Sequence, residues 1–238
     1  MTAIVIITFN IYDQVFLLQA EAVKRFCLDE HRLIIVDNST DAAAAASIKY
    51  HSERLGLQYI RTLSGTGDSS WSHAFAANTA IRMLAEEKYD YFLFLDHDNI
   101  PIKSFSVPGL LNGKKLGGLA QNKSTTYLWP GCFMWDNNQV NAHLIDFSPN
   151  AELQLDTGGQ THLLIEKYGR EACLFIDEII CENPAYPGNQ YNFYNLLCNS
   201  TFMHFINASN WNKIDDNIHR LNSLINIARE AINYGSKV

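Results

Sequence analysis

The residues with the clearest chemical potential are two aspartates that follow an apolar segment. The run Tyr91 to Leu95 is apolar or aromatic, and Asp96, His97 and Asp98 come directly after it. A short continuous apolar run predicts a strand that is buried on both faces of a mainly parallel sheet. Residues two apart in an extended chain point to the same side, so both carboxylates can converge on one cation. Carboxylate oxygens suit Mg²⁺ or Mn²⁺, ions that commonly bridge substrate phosphates.

The same segment also has a structural interpretation. Asp and Asn side chains bond to nearby backbone groups, and Pro101, which closes the segment, is typical of a turn. Asp-x-Asp is by itself a weak motif. On these residues alone, a cation site and a strand-end turn both remain open.

Composition excludes several classes of protein. Of the 238 residues, 47% are hydrophobic and 18% are charged, which is typical of a globular chain and not of a disordered one. The formal charge of -7 argues against a nucleic-acid partner, because such proteins carry a basic surface. The five cysteines form no Cys-x-x-Cys pair, so neither a zinc site nor a disulfide framework is predicted. We expect a cytoplasmic location for three reasons. The thiols are predicted to be reduced, the sequence shows no recognisable signal peptide, and it contains no long apolar span.

Hydrophobic periodicity predicts strands that alternate with helices over the first hundred residues. The predicted strands are 3–8, 33–37, 57–62 and 91–96, and the predicted helices are 12–26, 41–55 with Asp41 as N-cap, and 71–87. This alternation predicts a parallel sheet with helices on both faces. Further along, the expected elements are strands at 115–120, 131–135, 172–178 and 201–205, a helix at 160–168, a loop over 182–195 and a final helix at 215–234.

The order of these elements resembles the GT-A fold of nucleotide-sugar glycosyltransferases, and specifically the inverting, family 2-like enzymes. Four segments carry the resemblance: Ile6–Asn10, Ile35–Ser39, Ala76–Ile81 and Asp96–Asp98. They cover roughly the first hundred residues, and later parts match only in pieces. The chain departs from the family at Ala77, where the family helix motif has arginine, and at Ala80, where it has glycine. The Glu-Asp pair that often carries the family's catalytic base is not plainly present.

The resemblance implies a single GT-A-like (Rossmann-like) α/β domain, with a mostly parallel central sheet and helices on both faces. Residues 1–100 would form the nucleotide-binding half, 101–214 the acceptor half and 215–238 a C-terminal helix. The implied activity is that of a metal-dependent, inverting glycosyltransferase of the hexosyltransferase type, using Mn²⁺ or Mg²⁺. A UDP-sugar is the favoured donor, and the acceptor would be a saccharide or glycolipid of polysaccharide biosynthesis. Peripheral membrane association and oligomeric state stay open.

The resemblance also implies roles for individual residues. Asp98 would bind the metal directly, Asp96 would contact the metal or the ribose, and His204 would complete the metal or diphosphate site. Nucleotide contacts are implied for Thr8, Asn10, Asp37, Asp68 and Asp96. Asp156 is the candidate catalytic base by its placement, in competition with Asp177 and Glu178. Strand-end turns, helix caps and hydrogen-bonded histidines are the structural alternatives for these residues. Tryptophans 129, 135 and 211 are candidates for stacking on sugars, with core packing as their alternative.

Two other functions compete with this one. A nucleotide- or sugar-binding module would keep the fold and the pocket but lack turnover. A nucleotidyltransferase is less favoured, because Thr8–Tyr12 lacks the glycine-rich, basic loop that such enzymes place after the first strand.

Overall fold

The computed structural model describes residues 1–63, 67–187, 193–205 and 217–235, with side chains in the last segment from 219 to 233. The strands are β1 (Thr2–Thr8), β2 (His31–Asp37), β3 (Gln58–Arg61), β4 (Tyr91–Asp96), β5 (Asn99–Pro101), β6 (Leu116–Asn122), β7 (Thr126–Asp136), β8 (Cys173–Ile176), β9 (Glu178–Cys181), β10 (Tyr194–Leu197) and β11 (Phe202–Phe205). The α-helices are α1 (Asp13–Phe26), α2 (Ala42–Arg54), α3 (Ser69–Leu84), α4 (Val107–Leu111), α5 (His162–Tyr168) and α6 (Asn217–Gly235). Short 3₁₀ turns lie at Ala142–Leu144, Gly159–Thr161 and Arg170–Ala172.

The central sheet has seven strands in the order β3-β2-β1-β4-β7-β6-β8. Strands β1 to β4 are parallel, β7 is antiparallel to both of its neighbours, and β8 is parallel to β6. Only β7 therefore runs against the common direction of this sheet. Helices α1 and α6 pack on one face, whereas α3 and α5 pack on the other. The predicted α/β architecture, a mostly parallel sheet between two layers of helices, is confirmed.

Burial on both faces explains why β1 is apolar throughout. Ile4 and Ile6 join the core that α1 and α6 cover, while Ala3, Val5 and Ile7 join the core beneath α3. Alternate residues of a strand face opposite sides, so a strand between two helical layers needs apolar residues at every position. The sequence predicts this strand for the same reason.

A second sheet has the antiparallel order β5-β11-β10-β9; β11 was expected, at 201–205, whereas β5 and β10 were not. The expected strand over 172–178 is interrupted at Asp177 and becomes β8 and β9, and the expected loop over 182–195 is wrong at its end, where β10 begins at Tyr194. The missed strands β5, with three residues, and β10, with four in a segment rich in Asn and Tyr, show too little alternation to predict a strand. The consequence for the site is that β11 lies beside β5, with His204 opposite Asn99.

The helix ends largely follow the sequence signals. Asp41 caps α2 as predicted, and its carboxylate accepts hydrogen bonds from the backbone N–H groups of Ala43 (2.7 Å) and Ala44 (2.9 Å). Helix α6, expected over 215–234, is buried against the domain at Leu221, Leu224, Ile225, Ala228 and Ile232. Among the described helices, none combines the length and apolar character required to cross a membrane.

Candidate functional site

The carboxyl ends of β2, β1 and β4 lie side by side at one edge of the central sheet. In the strand register, Thr8 pairs with Asp37 and Ile7 pairs with Asp96. The chain leaves β1 towards β2 and β3 on one side, and β4 lies on the other side. The crevice between β1 and β4 is therefore a topological switch point, the place where open α/β sheets bind ligands. Asp96 stands at this crevice.

The segment from Asp96 to Asn99 is a tight connection between β4 and β5 that other elements hold in place. Gln19 of α1 is fully buried, and its Nε2 donates to the carbonyl oxygens of Asp96 (2.7 Å) and Asn99 (2.8 Å). The N–H of His97 donates to the carbonyl oxygen of Ile7 at 3.0 Å. The turn interpretation thus describes the backbone here, and the same turn presents both carboxylates.

Two histidines approach the two carboxylates. His73 Nε2 of α3 lies 2.8 Å from Asp96 Oδ1, and His204 Nε2 of β11 lies 3.6 Å from Asp98 Oδ1. Both of these oxygens are buried, and among the described residues Asp98 Oδ1 has no hydrogen-bond partner, whereas Asp96 Oδ1 is paired with His73. Buried polar atoms are nearly always partnered, so Asp98 Oδ1 marks a place suited to an ion or a polar ligand.

Burial and mutual charge set the protonation of the carboxylates. Burial raises the pKa of Asp98 well above its ordinary value, and the negative charge of Asp96 raises it further, while Arg220 of α6 opposes the shift. Burial also disfavours the charged form of Asp96, but the cation of His73 outweighs it and lowers the pKa of Asp96. The two acids therefore have pKa values shifted in opposite directions, a separation that is frequent at functional sites.

His97 and His204 are held as neutral imidazoles. Burial lowers the pKa of each ring to about 4, even though the charge of Asp96 favours the protonated form of both. A neutral imidazole is the form that binds a metal ion. His204 is consequently in a suitable state at neutral pH to act as a ligand beside Asp98.

The donor set suits a divalent cation that shares its coordination shell with a substrate. Within the described ranges, no group of three or more His, Cys, Asp or Glu side chains is placed to hold a metal. Asp98 Oδ1 and His204 Nε2 lie 3.6 Å apart. Two ligands that each lie about 2.1 Å from one ion can have this separation. Ions such as Mg²⁺ often take only one or two carboxylates and fill the other positions with water and phosphate oxygens. We conclude that these residues fit the predicted cation.

Asp37 is fully buried and is the centre of a hydrogen-bond network. Its carboxylate accepts from Thr8 Oγ1 (3.2 Å), from the N–H (2.9 Å) and Oγ (2.5 Å) of Ser39, and from Tyr59 OH (2.7 Å). Arg61 Nη1 lies 3.3 Å from Oδ2. Both oxygens are thus occupied by groups of the chain, and the network ties together the ends of β1, β2 and β3. A nucleotide would have to replace one of these donors to reach Asp37.

The other residues with predicted nucleotide contacts also contribute to the local structure. Asn10 adopts a left-handed backbone (φ 45°), donates to Thr40 Oγ1 at 3.1 Å and accepts from the N–H of Asp41 at 2.9 Å. Asp68 caps α3, where its Oδ1 accepts from the N–H of Trp71 at 3.0 Å. The structure brings Thr8, Asn10 and Asp37 to the ends of β1 and β2. Asp68 stands at the start of α3, where Ser72 accepts hydrogen bonds from Asn38 Nδ2. Their contact with a nucleotide remains a prediction.

The candidate base, Asp156, is half-exposed and already paired. Its Oδ2 lies 3.0 Å from Lys123 Nζ, and its Oδ1 accepts a short hydrogen bond from Tyr127 OH. The next residue, Thr157, donates from Oγ1 to the carbonyl oxygen of Ser70 at 3.1 Å. This contact places the Asp156 loop against the first turn of α3, the helix from which His73 reaches Asp96.

Of the two rival bases, Asp177 lies between the two sheets and Glu178 lies in the second sheet. Asp177 accepts from the N–H of Asn199 at 3.2 Å, and Glu178 Oε2 accepts from Asn195 Nδ2 at 2.7 Å. Asp177 connects β8 to β9, and Glu178 belongs to β9, at the outer edge of the antiparallel sheet. Glu178 is connected to the site indirectly, because its partner Asn195 lies opposite His204 in the second sheet.

Sequence reasoning missed Gln19 and His73. Gln19 had a recognisable signal, because it lies one turn from Val15 and directly after Leu18 on the otherwise apolar face of α1. A polar residue on such a face needs buried partners, which here are backbone carbonyls. His73 had no comparable signal, since its contact with Asp96 depends on how α3 packs against β4.

Comparison with protein-family models and with curated proteins gave no match. Among solved structures, the chain is similar to an active-site mutant of LgtC (14% identity, 73% of this chain and 72% of that chain, TM-score 0.47). It is also similar to the mannosyltransferase PcManGT from Pyrobaculum calidifontis in complex with GDP-Man and Mn²⁺ (10%, 73% and 54%, TM-score 0.48) and to TarS from S. aureus (14%, 70% and 33%, TM-score 0.45). These proteins are GT-A glycosyltransferases. Because all three TM-scores are below 0.5, the function is argued below from the residues of this chain.

Proposed function

We propose that this protein is a metal-dependent, inverting glycosyltransferase that moves a sugar from a nucleoside diphosphate sugar to an acceptor hydroxyl. The observation that carries the proposal is the approach of His204 to Asp98 in the connection that follows β4, where Asp96 stands at the switch point of the parallel sheet. The buried Asp98 carboxylate and the neutral His204 imidazole would be two ligands of a divalent cation on a diphosphate, with Asp96 beside them.

Each part of the reaction has a residue suited to it. A bound divalent cation would supply Lewis-acid stabilisation of the leaving diphosphate. Asp98 and His204 would hold it, and Asp96 would contact it or the ribose. Asp156 would accept the proton of the attacking hydroxyl, so that a single direct displacement inverts the anomeric carbon. Gln19 would fix the backbone on which both acids stand.

Calorimetric titration of UDP and GDP, each with and without Mn²⁺, tests the donor site. We expect one nucleotide to bind in a metal-dependent manner, with UDP favoured, and we expect Asp98→Asn to abolish the metal dependence. Asp41→Asn, a change of the same kind at an exposed helix cap, is the matched control and should bind as the wild type does. If neither nucleotide binds under any metal condition, the assignment of the donor site is wrong.

A binding module without turnover is the second candidate, and the surroundings of Asp156 favour it. Both oxygens of this carboxylate are engaged by Lys123 and Tyr127, and a base must release such partners before it can accept a proton. The two functions differ in donor consumption. Under the transferase proposal, Asp156→Asn binds nucleotide normally but turns over donor far more slowly than the wild type. Under the alternative, wild type and variant bind alike and neither consumes donor.

A further inference from the structure

An irregularity in the pairing of β6 with β7 lies directly beside the candidate cation site. Gly118 pairs with Phe133, but the next residue of β6, Leu119, pairs with Trp129, so residues 130–132 of β7 bulge out of the ladder. Bulges next to active sites commonly re-aim a side chain. Here the bulge begins immediately after Trp129.

The bulge fixes the position of the Trp129 indole through Gly131. A Cβ atom at Gly131 would lie only 2.1 Å from the Trp129 ring, so the indole packs directly against a backbone that only glycine permits. The carbonyl oxygen of Gly131 in turn accepts a hydrogen bond from Asn99 Nδ2 at 3.0 Å. Asn99 immediately follows Asp98, and the orientation of the indole is therefore coupled to the segment that carries the carboxylates.

The indole also borders the histidine that approaches Asp98. The ring centroids of Trp129 and His204 are 5.2 Å apart, with an angle of 50° between the ring planes. Trp129 is partly exposed, whereas Trp135 of the same strand is fully buried and stacks on Phe92 at 4.5 Å. Trp135 is thus a core residue, whereas Trp129 packs against the core only in part and stays partly exposed beside His204.

We propose that Trp129 is the platform for a pyranose ring at the transfer centre, and that Gly131 sets its orientation. A pyranose presents an apolar face of C–H groups that an indole can cover, while its hydroxyls remain available to polar groups. This inference rests on the proposed function, because the diphosphate held beside Asp98 and His204 is attached to a sugar. Donor sugar and acceptor sugar share this chemistry, and the test separates them.

The test compares ligands with and without a sugar on three variants. Trp129→Ala removes the platform, Trp129→Phe retains an aromatic face, and Gly131→Ala displaces the indole without removing it. Trp135→Phe, in the same strand but in the core, is the matched control for the loss of a tryptophan. The probes are UDP and GDP against UDP-glucose and GDP-mannose for the donor, each with Mn²⁺, and lactose and methyl β-D-glucoside for the acceptor. Thermal unfolding of every variant reports any change in stability separately.

We expect Trp129→Ala and Gly131→Ala to leave the affinity for UDP or GDP unchanged and to weaken one class of sugar probe about tenfold. Trp129→Phe should restore most of that affinity, and Trp135→Phe should alter stability only. Weaker binding of UDP-glucose or GDP-mannose identifies the donor sugar, and weaker binding of the free glycosides identifies the acceptor.

Two results overturn the inference. One is equal affinity of wild type and Trp129→Ala for every sugar-bearing probe, and the other is an equal loss of affinity for nucleotides with and without a sugar. If wild type binds the glycosides through Trp129 but binds no nucleotide, the proposed transferase function fails while the platform stands. A wild-type protein that binds none of the probes overturns both.

Discussion

Replacing Asp37 with asparagine should lower the free energy of unfolding by about 3 kcal/mol. The amide oxygen of asparagine can keep the contacts that Oδ1 makes with Thr8 and Ser39. The NH₂ group, however, would replace Oδ2, and this donor would face two other donors, Tyr59 OH (2.7 Å from Oδ2) and Arg61 Nη1 (3.3 Å). A hydrogen bond to a charged group contributes about 1.5–3 kcal/mol. The Arg61 contact belongs at the low end, because its guanidinium is 30% exposed and approaches through one nitrogen.

Urea unfolding followed by circular dichroism measures this change, and a double-mutant cycle assigns it. Tyr59 keeps its proton because burial and the charge of Asp37 raise its pKa, so it is a donor throughout the neutral range. Tyr59→Phe alone should cost about 1–2 kcal/mol, and in the Asp37→Asn background it should cost almost nothing. Asp41→Asn, at an exposed cap where asparagine works equally well, should cost less than about 0.5 kcal/mol.

The same variant decides between the structural and the ligand-binding interpretations of Asp37. A stability loss below about 1 kcal/mol, together with abolished nucleotide binding, would refute the reasoning that the oxygens are occupied by the chain. A large loss of stability with nucleotide binding retained would leave Asp37 as a structural hub at the edge of the site.

Three further predictions concern the site and the thiols. Gln19→Met should lower the free energy of unfolding in urea by about 2–4 kcal/mol, because two buried carbonyl oxygens lose their donor. It should also weaken Mn²⁺-dependent nucleotide binding, and unchanged binding would show that Gln19 has a structural role only. Asp156→Asn should raise the rate at which an amine-reactive reagent labels Lys123, because this amine loses its ion pair. An unchanged labelling rate would contradict the pairing of the two side chains at 3.0 Å. At pH 8 iodoacetamide should modify Cys181 well before Cys27, because burial raises the pKa of the Cys27 thiol to about 11 and little thiolate forms. Peptide mass spectrometry measures the order of modification, and earlier modification of Cys27 would contradict the prediction.

Local patterns were sufficient for the main layers of the fold. The apolar run before Asp96 and the β-branched run from Ala3 predict strands buried on both faces, and both are present as central strands of the parallel sheet. The cap at Asp41 is likewise readable, because a helix start depends on a side chain and the backbone only two or three residues away. Of the small antiparallel sheet, β11 was readable, whereas β5 and β10 are too short to show a period.

The sequence by itself determined that Asp96 and Asp98 follow a buried strand, and therefore that they lie at the carboxyl edge of a parallel sheet. Tertiary structure decided which side chains meet them there, and of these the sequence had indicated only His204, through the family resemblance. His73 reaches Asp96 from α3, Gln19 reaches the same segment from α1 on the opposite face, and His204 approaches Asp98 from β11. The physical reason is the distance along the chain between the partners. Strands and caps are set by neighbours within a few residues, whereas His73 and Asp96 are 23 positions apart and His204 and Asp98 are 106 positions apart. Such contacts exist only once both helical layers and the second sheet have packed.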